Sequence, residues 1–137
     1  ETEYLKKKLR DIKFDNYKSN LIDYSIQNSK IVVCTYLNTI FLQSLASNIP
    51  VLGFFDFKRC YITKKNFNML KKLKKNKIIF DNYLQLCNHL NLKYSKIEEW
   101  WYSKNIQKII SEFKNNHAYY EKAKNYKITQ TIKNIYE

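Results

Sequence analysis

The apolar positions of the chain fall into two patterns, short unbroken runs and longer stretches with helical spacing. The unbroken runs cover residues 31–34, 51–55 and 78–80, and polar or turn-forming residues flank them. Short runs rich in β-branched residues are typical of strands in a parallel sheet that is covered on both faces. We therefore predict three strands, and we expect the first two to be adjacent, parallel and central.

Stretches with helical spacing alternate with these runs. Between Leu37 and Ala46 apolar residues recur every three or four positions, and Thr35 is placed to cap this helix. Strand, helix and strand within about 25 residues predict a βαβ unit, because parallel strands need a crossover. Further helices are predicted at 16–28, at 64–75, from Asp81 or Asn82 to Leu90, at 95–101, and from Ser103 onward.

Alternating strands and helices of these lengths predict an α/β fold. We expect a Rossmann-like, doubly wound parallel sheet followed by C-terminal helices. The 137 residues fit one domain. We assign residues 1–118 to this domain and the lysine- and tyrosine-rich residues 119–137 to a helical or mobile tail. Since the chain starts at Glu1 and not at methionine, we expect it to be a fragment of a longer protein.

Composition narrows the possible chemistry. Gly53 is the only glycine, which excludes the G-x-G-x-x-G and Walker A loops. The formal net charge is +13, but 23 of the 25 basic residues are lysine. Arginine is the usual base-reading and bidentate phosphate-binding residue, so we expect no specific nucleic-acid partner. Lysine, asparagine and isoleucine share A- and T-rich codons, and together they make 55 of the 137 residues.

The lysines of segment 64–77 are therefore interpreted as a solvated helix face, with attraction to anionic membrane or nucleic acid as the alternative. In particular, we expect exposed side chains outside any pocket at Lys71, Lys72, Lys74 and Lys75. The three cysteines lack C-x-x-C spacing, and no apolar run approaches the roughly 20 residues of a membrane span. These features favour a reduced, cytoplasmic protein.

The first candidate site is the turn after the first strand, because ligands of open α/β sheets bind beyond the carboxyl ends of the strands. Thr35, Tyr36, Asn38 and Thr39 lie there, at a helix start whose free N–H groups favour an anion. Gln43, one helical turn beyond Thr39, can reach a sugar hydroxyl. The alternative is that Thr35 is only a cap and that the other side chains are only solvated.

The second strand ends near the same edge. Asp56 can accept a hydrogen bond from a ribose hydroxyl or can simply begin a loop, and Lys58 and Arg59 can neutralise a diphosphate or be solvated. His89 and His117 have no second ligand at zinc-like spacing, so we expect no metal site. We also expect Trp100 and Trp101 to pack on different surroundings, since adjacent helical residues do not face the same way.

A longer pattern carries a family resemblance. Residues 29–50 read S-K-I-V-V-C-T-Y-L-N-T-I-F-L-Q-S-L-A-S-N-I-P. This resembles the pattern S-[KR]-I-x-V-x-T-Y-x-x-T-x-F-L-E-x-L-A-x-N-x-P of transferases from bacterial surface-carbohydrate loci, a family first named from a spirochaete protein. The likeness continues at 78–81 and at the W-W-x-S piece of 99–103, and it spans residues 29–118.

The resemblance implies the C-terminal half of a GT-B-like architecture, in which two Rossmann-like halves face each other and the C-terminal half grips an activated sugar. Its partners would be a nucleotide-sugar donor, an unknown acceptor and the missing N-terminal half of the same chain. Gln43 stands where the family usually has glutamate. Where relatives carry W-E-L-[RN], this chain has Cys60, Tyr61, Ile62 and Thr63.

We therefore expect the nucleotide-sugar-binding half of a glycosyltransferase-like enzyme for surface-glycan biosynthesis, inactive as an isolated segment and without a cofactor. Its binding residues would be Thr35, Tyr36, Asn38, Thr39, Gln43 and Asp56, and no catalytic residue can be assigned. A basic module for nucleic acid or peripheral association with anionic membrane, and an interaction domain without a ligand, are the alternatives.

Overall fold

A computed structural model describes residues 22–59 and 62–117. Its sheet has three parallel strands in the order β1-β2-β3, namely β1 (Val32–Cys34), β2 (Val51–Phe54) and β3 (Ile79–Phe80). Val32 pairs with Val51, and Gly53 pairs with Ile79. The prediction that the first two strands are adjacent and parallel is confirmed.

One of the helices described precedes β1, and the others fill the intervals between the strands or follow the last strand. They are α1 (Ile22–Gln27), α2 (Thr39–Ala46), α3 (Lys64–Lys75), α4 (Tyr83–Lys93), α5 (Ile97–Trp101) and α6 (Lys104–His117), with 3-10 turns at Phe57–Arg59 and Tyr94–Lys96. Thus α2 is the β1–β2 crossover and α3 the β2–β3 crossover. Residues 16–21 of the predicted first helix and the predicted tail 119–137 lie outside the described residues. None of the helices described is long and apolar enough to cross a membrane.

Among the described residues, the core consists of two apolar clusters on opposite sides of β2. Leu45, Leu73 and Ile110 belong to the larger cluster, where α2, α3 and α6 contribute side chains. Leu52 belongs to the smaller cluster, together with Phe80 and Leu86. Val51 and Leu52 point to opposite sides because successive strand residues alternate. The α/β class is confirmed, and the double winding remains a prediction.

The first strand is less enclosed than the sequence predicts. β1 forms an edge of the three described strands, and Val33 is 44% exposed. Val33 pairs with Leu52, so its side chain faces the side of the smaller cluster, where α4 lies against β2 and β3. The prediction of a buried central strand is therefore wrong for β1 within the described sheet.

Gly53 lets two aromatic rings approach the middle of β2. A Cβ atom at this position would lie 2.5 Å from Cε1 of Phe55 and 3.0 Å from Cε2 of Phe41. The two rings meet edge to face with their centroids 5.2 Å apart. Because Phe41 belongs to the first turn of α2, this contact fixes the start of that helix against the sheet.

A polar clamp holds the end of α2 to the C-terminal helices. Asn48 has a left-handed backbone with φ of 58°. Its side-chain oxygen accepts hydrogen bonds from Nε1 of Trp101 and Nε2 of Gln107, both at 3.0 Å. Nδ2 of Asn48 donates to Oε1 of Gln107 at 3.0 Å. The clamp therefore joins the L-A-x-N-x-P and W-W-x-S pieces of the sequence pattern.

The two tryptophans pack as predicted on different surroundings. Trp101 is fully buried in the larger cluster, whereas Trp100 is half-buried and contacts both clusters. Ser103 directly precedes the helix α6, the position predicted for its cap, and its hydroxyl donates to the carbonyl of Trp100 at 2.7 Å. The following helix α6 buries the residues predicted for its inner face, namely Ile106, Ile109, Ile110 and Phe113.

Candidate functional site

The turn between β1 and α2, together with the first residue of α2, carries four of the six residues predicted to bind a ligand. The helix begins at Thr39, and Asn38 is its cap, since the Asn38 side-chain oxygen accepts the N–H of Phe41 at 2.9 Å. The prediction that Thr35 caps this helix is wrong. Thr35 lies four positions before the first helical residue, whereas a capping residue directly precedes it.

A cavity of about 410 Å³ opens between α2, α3 and α6. Leu37, which follows β1, and Ile62, which follows β2, both line it, so the cavity lies toward the carboxyl edge of the sheet. Helix α3 begins beside it with Thr63 as the cap. The walls of the cavity are apolar and consist of Leu37, Leu42, Ala46, Ile62, Met69, Leu70 and Phe113.

Four polar side chains complete the lining of this cavity: Thr39, Gln43, Asn66 and His117. The first three are exposed, so the cavity is open to solvent on that side. Thr39 and Gln43 lie one helical turn apart on α2, as their spacing predicts. Of the six predicted site residues, these two are the ones that the structure brings to a common cavity.

The other predicted binding residues lie outside this cavity. Thr35 and Tyr36 are exposed in the turn after β1, and the side-chain oxygen of Asn38 serves as the cap. Asp56 is exposed, and its side chain accepts the N–H of Lys58 at 3.1 Å. Lys58 is exposed too, whereas the side chain of Arg59 lies outside the described residues.

Sequence reasoning missed Asn66, Ile62 and His117 as lining residues. Asn66 lies in the first turn of a lysine-rich helix that the sequence predicts only as a solvated face. His117 follows Phe113 by four residues, so the two share one face of α6. The four-residue spacing therefore predicts that His117 lies on the same side of α6 as Phe113, but it does not predict that this side borders a cavity. Cys60 and Tyr61, at the start of the segment that departs from the resembled pattern, lie outside the described residues.

The electrostatics near the cavity favour a neutral histidine. Burial lowers the pKa of His117, the positive charge of Lys65 lowers it further, and Glu112 raises it. The imidazole is therefore neutral near pH 7 and offers one donor and one acceptor nitrogen. Lys65 directly precedes the lining residue Asn66 in the first turn of α3.

A second histidine, His89 on α4, lies outside the cavity and packs against aromatic rings. His89 lies 5.3 Å from the Phe80 ring and 4.9 Å from the Trp100 ring, measured between centroids. Burial lowers the pKa of His89, and Lys93 and Lys77 lower it further. Its Nε2 is buried and has no hydrogen-bond partner among the residues described. Within those residues, no three metal-binding side chains gather into a group.

The lysines of α3 lie outside the cavity lining. Lys71, Lys72 and Lys75 are exposed and Lys74 is partly exposed, which agrees with the predicted solvated face. Lys72 pairs with Glu112 on α6. Lys74 pairs with Asp81, and their hydrogen bond lowers the pKa of that carboxyl group.

Parallel strands with helical crossovers and a cavity toward their carboxyl ends place the protein in the α/β class, whose ligands bind beyond the strand ends. A sequence profile described as LIC12162 family transferase matches residues 1–132. The chain therefore belongs to the LIC12162 family of transferases, which confirms the transferase family that the sequence resembles. No curated protein and no solved structure is significantly similar to the chain.

Proposed function

We propose that the chain is the nucleotide-sugar-binding half of a glycosyltransferase-like enzyme in bacterial surface-glycan biosynthesis. In this proposal it is the C-terminal half of a GT-B-like protein, with a doubly wound Rossmann-like sheet. Membership of a transferase family and the parallel βαβ arrangement support the proposal. The N-terminal half of the same protein would face the carboxyl edge of this sheet and contribute to the cleft.

The observation that carries the proposal is the position of Thr39 and Gln43 on one face of α2, at the rim of the cavity. A phosphate at the start of α2 would accept hydrogen bonds from free first-turn amides and from the Thr39 hydroxyl. The Gln43 amide would hydrogen-bond a sugar hydroxyl one turn deeper. Asn38 would fix the start of the helix, and Thr35, Tyr36 and Asp56 would contact outer parts of the donor.

The groups that exchange protons during sugar transfer would lie on the N-terminal half of the enzyme. Gln43 cannot exchange a proton near neutral pH, although it stands where relatives usually carry glutamate. An amide at this position can still orient a hydroxyl, because it offers both donors and acceptors. The role proposed for this side chain is therefore binding.

Nucleotides and nucleotide sugars should first be screened by thermal shift on the whole protein. A ligand at about 100 times its Kd adds roughly 2.7 kcal/mol of stability. The identified ligand should then be titrated by calorimetry into Thr39→Val and a control, Ser111→Ala, which removes a hydroxyl from the exposed face of α6.

We expect Thr39→Val to weaken binding about tenfold or more, because a hydrogen bond to a charged group is worth roughly 1.5–3 kcal/mol. Ser111→Ala should bind like the unmodified protein. The Thr39→Val variant should fold, since Asn38 still caps the helix. Unchanged affinity in folded Thr39→Val would place the phosphates elsewhere and overturn this site.

A further inference from the structure

The cavity has an apolar interior that the phosphates and hydroxyls of a sugar donor do not require. Leu42 forms part of its lip and is 41% exposed, while Met69, Leu70 and Phe113 are almost fully buried in the wall. A volume of about 410 Å³ lies within the range of small-molecule sites. An exposed leucine beside an apolar wall favours a ligand that brings apolar surface of its own.

The surroundings of this cavity are strongly basic. Helices α3 and α6, which border it on two sides, together carry one acidic residue, Glu112, and nine lysines, of which Lys64 and Lys65 precede the lining residue Asn66 and Lys114 follows the lining residue Phe113. Glu112 is paired with Lys72. Lys65 directly precedes Asn66, a residue of the cavity lining, and its charge also lowers the pKa of His117.

We propose that the cavity between α2, α3 and α6 binds the apolar chain of an anionic amphiphile of the lipid-phosphate class, with its head at the basic rim. The chain lies against Leu42, Met69, Leu70 and Phe113. The head group lies by Lys65, with Asn66 and neutral His117 as hydrogen-bond donors. An apolar wall and a cationic rim complement the two parts of such a molecule.

This inference goes beyond the proposed donor site, because the amphiphile is a second ligand. The nucleotide diphosphate is assigned to the start of α2, outside the apolar interior. Thr39 and Gln43 lie on the lip between the two positions. Binding of the amphiphile does not depend on the identity of the donor, so the two proposals can fail separately.

The test is calorimetric titration of the whole protein with monomeric dodecyl phosphate, below its micellar concentration. Butyl phosphate lacks the long chain, and decyl maltoside has a chain with a neutral head. Leu42→Gln makes the lip polar, and Leu92→Gln is its control at a position that is 78% exposed on α4. Lys65→Gln removes the rim charge, and Lys104→Gln is its control at the opposite end of α6.

We expect saturable binding of dodecyl phosphate that Leu42→Gln weakens about tenfold, because apolar contact at the lip is lost. Lys65→Gln should weaken it about threefold and reduce its salt dependence. The Leu92→Gln and Lys104→Gln controls should bind like the unmodified protein. Butyl phosphate and decyl maltoside should both bind at least tenfold more weakly than dodecyl phosphate.

Several outcomes would overturn this inference. Absence of dodecyl phosphate binding, or unchanged affinity in folded Leu42→Gln, would show that the cavity holds no such chain. If decyl maltoside binds as tightly as dodecyl phosphate, the anionic head does not contribute to binding. If a nucleoside competes with dodecyl phosphate, and if Leu42→Gln weakens the binding of that nucleoside, the cavity binds a nucleobase instead of an alkyl chain. The nucleotide-sugar affinity of Leu42→Gln is measured in parallel. Unchanged donor affinity would show that the donor site is intact even where the proposal for the amphiphile fails.

Discussion

Two residues of the described chain other than glycine adopt a left-handed backbone, and they do so for different reasons. Asn48 has φ of 58° and Lys77 has φ of 62°. The side-chain oxygen of Asn48 accepts the hydrogen bonds of the polar clamp from Trp101 and Gln107. Lys77 follows the end of α3 and is exposed. Left-handed geometry costs an ordinary L-residue roughly 1–2 kcal/mol, whereas glycine adopts it freely.

This difference predicts opposite effects for the same substitution. Lys77→Gly should stabilise the protein by about 0.5–1 kcal/mol, because glycine relieves the backbone penalty. Asn48→Gly should destabilise it by about 1–3 kcal/mol, because the side-chain amide of Gln107 loses both hydrogen bonds to Asn48 and the indole N–H of Trp101 keeps only the backbone carbonyl at this position. Urea denaturation of both variants measures the two changes. A gain of stability at both positions would show that the clamp contributes little.

His89 gives the protein a predictable response to mild acid. Its pKa is lowered in the folded protein by burial and by Lys93 and Lys77, so the unfolded chain binds this proton more readily. The free energy of unfolding should therefore decrease as the pH falls below about 6.5. His117 contributes in the same direction, since its pKa is also lowered by burial and then by Lys65.

Chemical denaturation from pH 7.5 to 5.5 should show this decrease, and His89→Gln should flatten it. His117→Gln is the matched comparison and should flatten it less, because the imidazole of His117 is less buried than that of His89. Carboxyl groups such as Asp81, whose pKa is lowered by Lys74, act at lower pH. An unchanged slope in His89→Gln would contradict the assignment of the decrease to this imidazole.

At the scale of single residues, sequence predicts part of the candidate site. Thr39 and Gln43 can be paired from their spacing, because helical geometry places them one turn apart. Thr35 and Asn38 are both good capping residues, and the sequence does not state how many residues the chain needs to turn after β1. The structure uses four residues for that turn, so Asn38 takes the role predicted for Thr35.

At the scale of elements, the strands and crossover helices are predictable because their apolar patterns have different periods. The predicted strand 78–80 and the observed β3 (Ile79–Phe80) differ by one residue. The edge position of β1 is not predictable, because an apolar run does not reveal how many strands flank it. The cavity is equally hidden, because Leu42, Met69 and Phe113 come from three helices and meet only after packing.

At the scale of the whole molecule, the lysines of α3 differ in how close they lie to the cavity and in whether they form ion pairs. Lys65 directly precedes the lining residue Asn66, whereas four lysines lie farther along α3 and do not line the cavity: Lys71, Lys72, Lys74 and Lys75. Two of these four make ion pairs, with Glu112 and Asp81. Exposed ion pairs contribute about 0–1 kcal/mol each, so they add little to stability.

Replacing these four lysines together with glutamine should leave nucleotide-sugar affinity within about twofold, because none of them reaches the cavity and their field is screened within about 10 Å at 0.1 M salt. The loss of two exposed pairs should lower the free energy of unfolding by no more than about 2 kcal/mol. Calorimetry and urea denaturation of the fourfold variant measure both quantities, with Lys65→Gln as the comparison at the rim. A large loss of donor affinity in the fourfold variant would show that this helix face binds the donor, and its lysines would then be more than solvated charge.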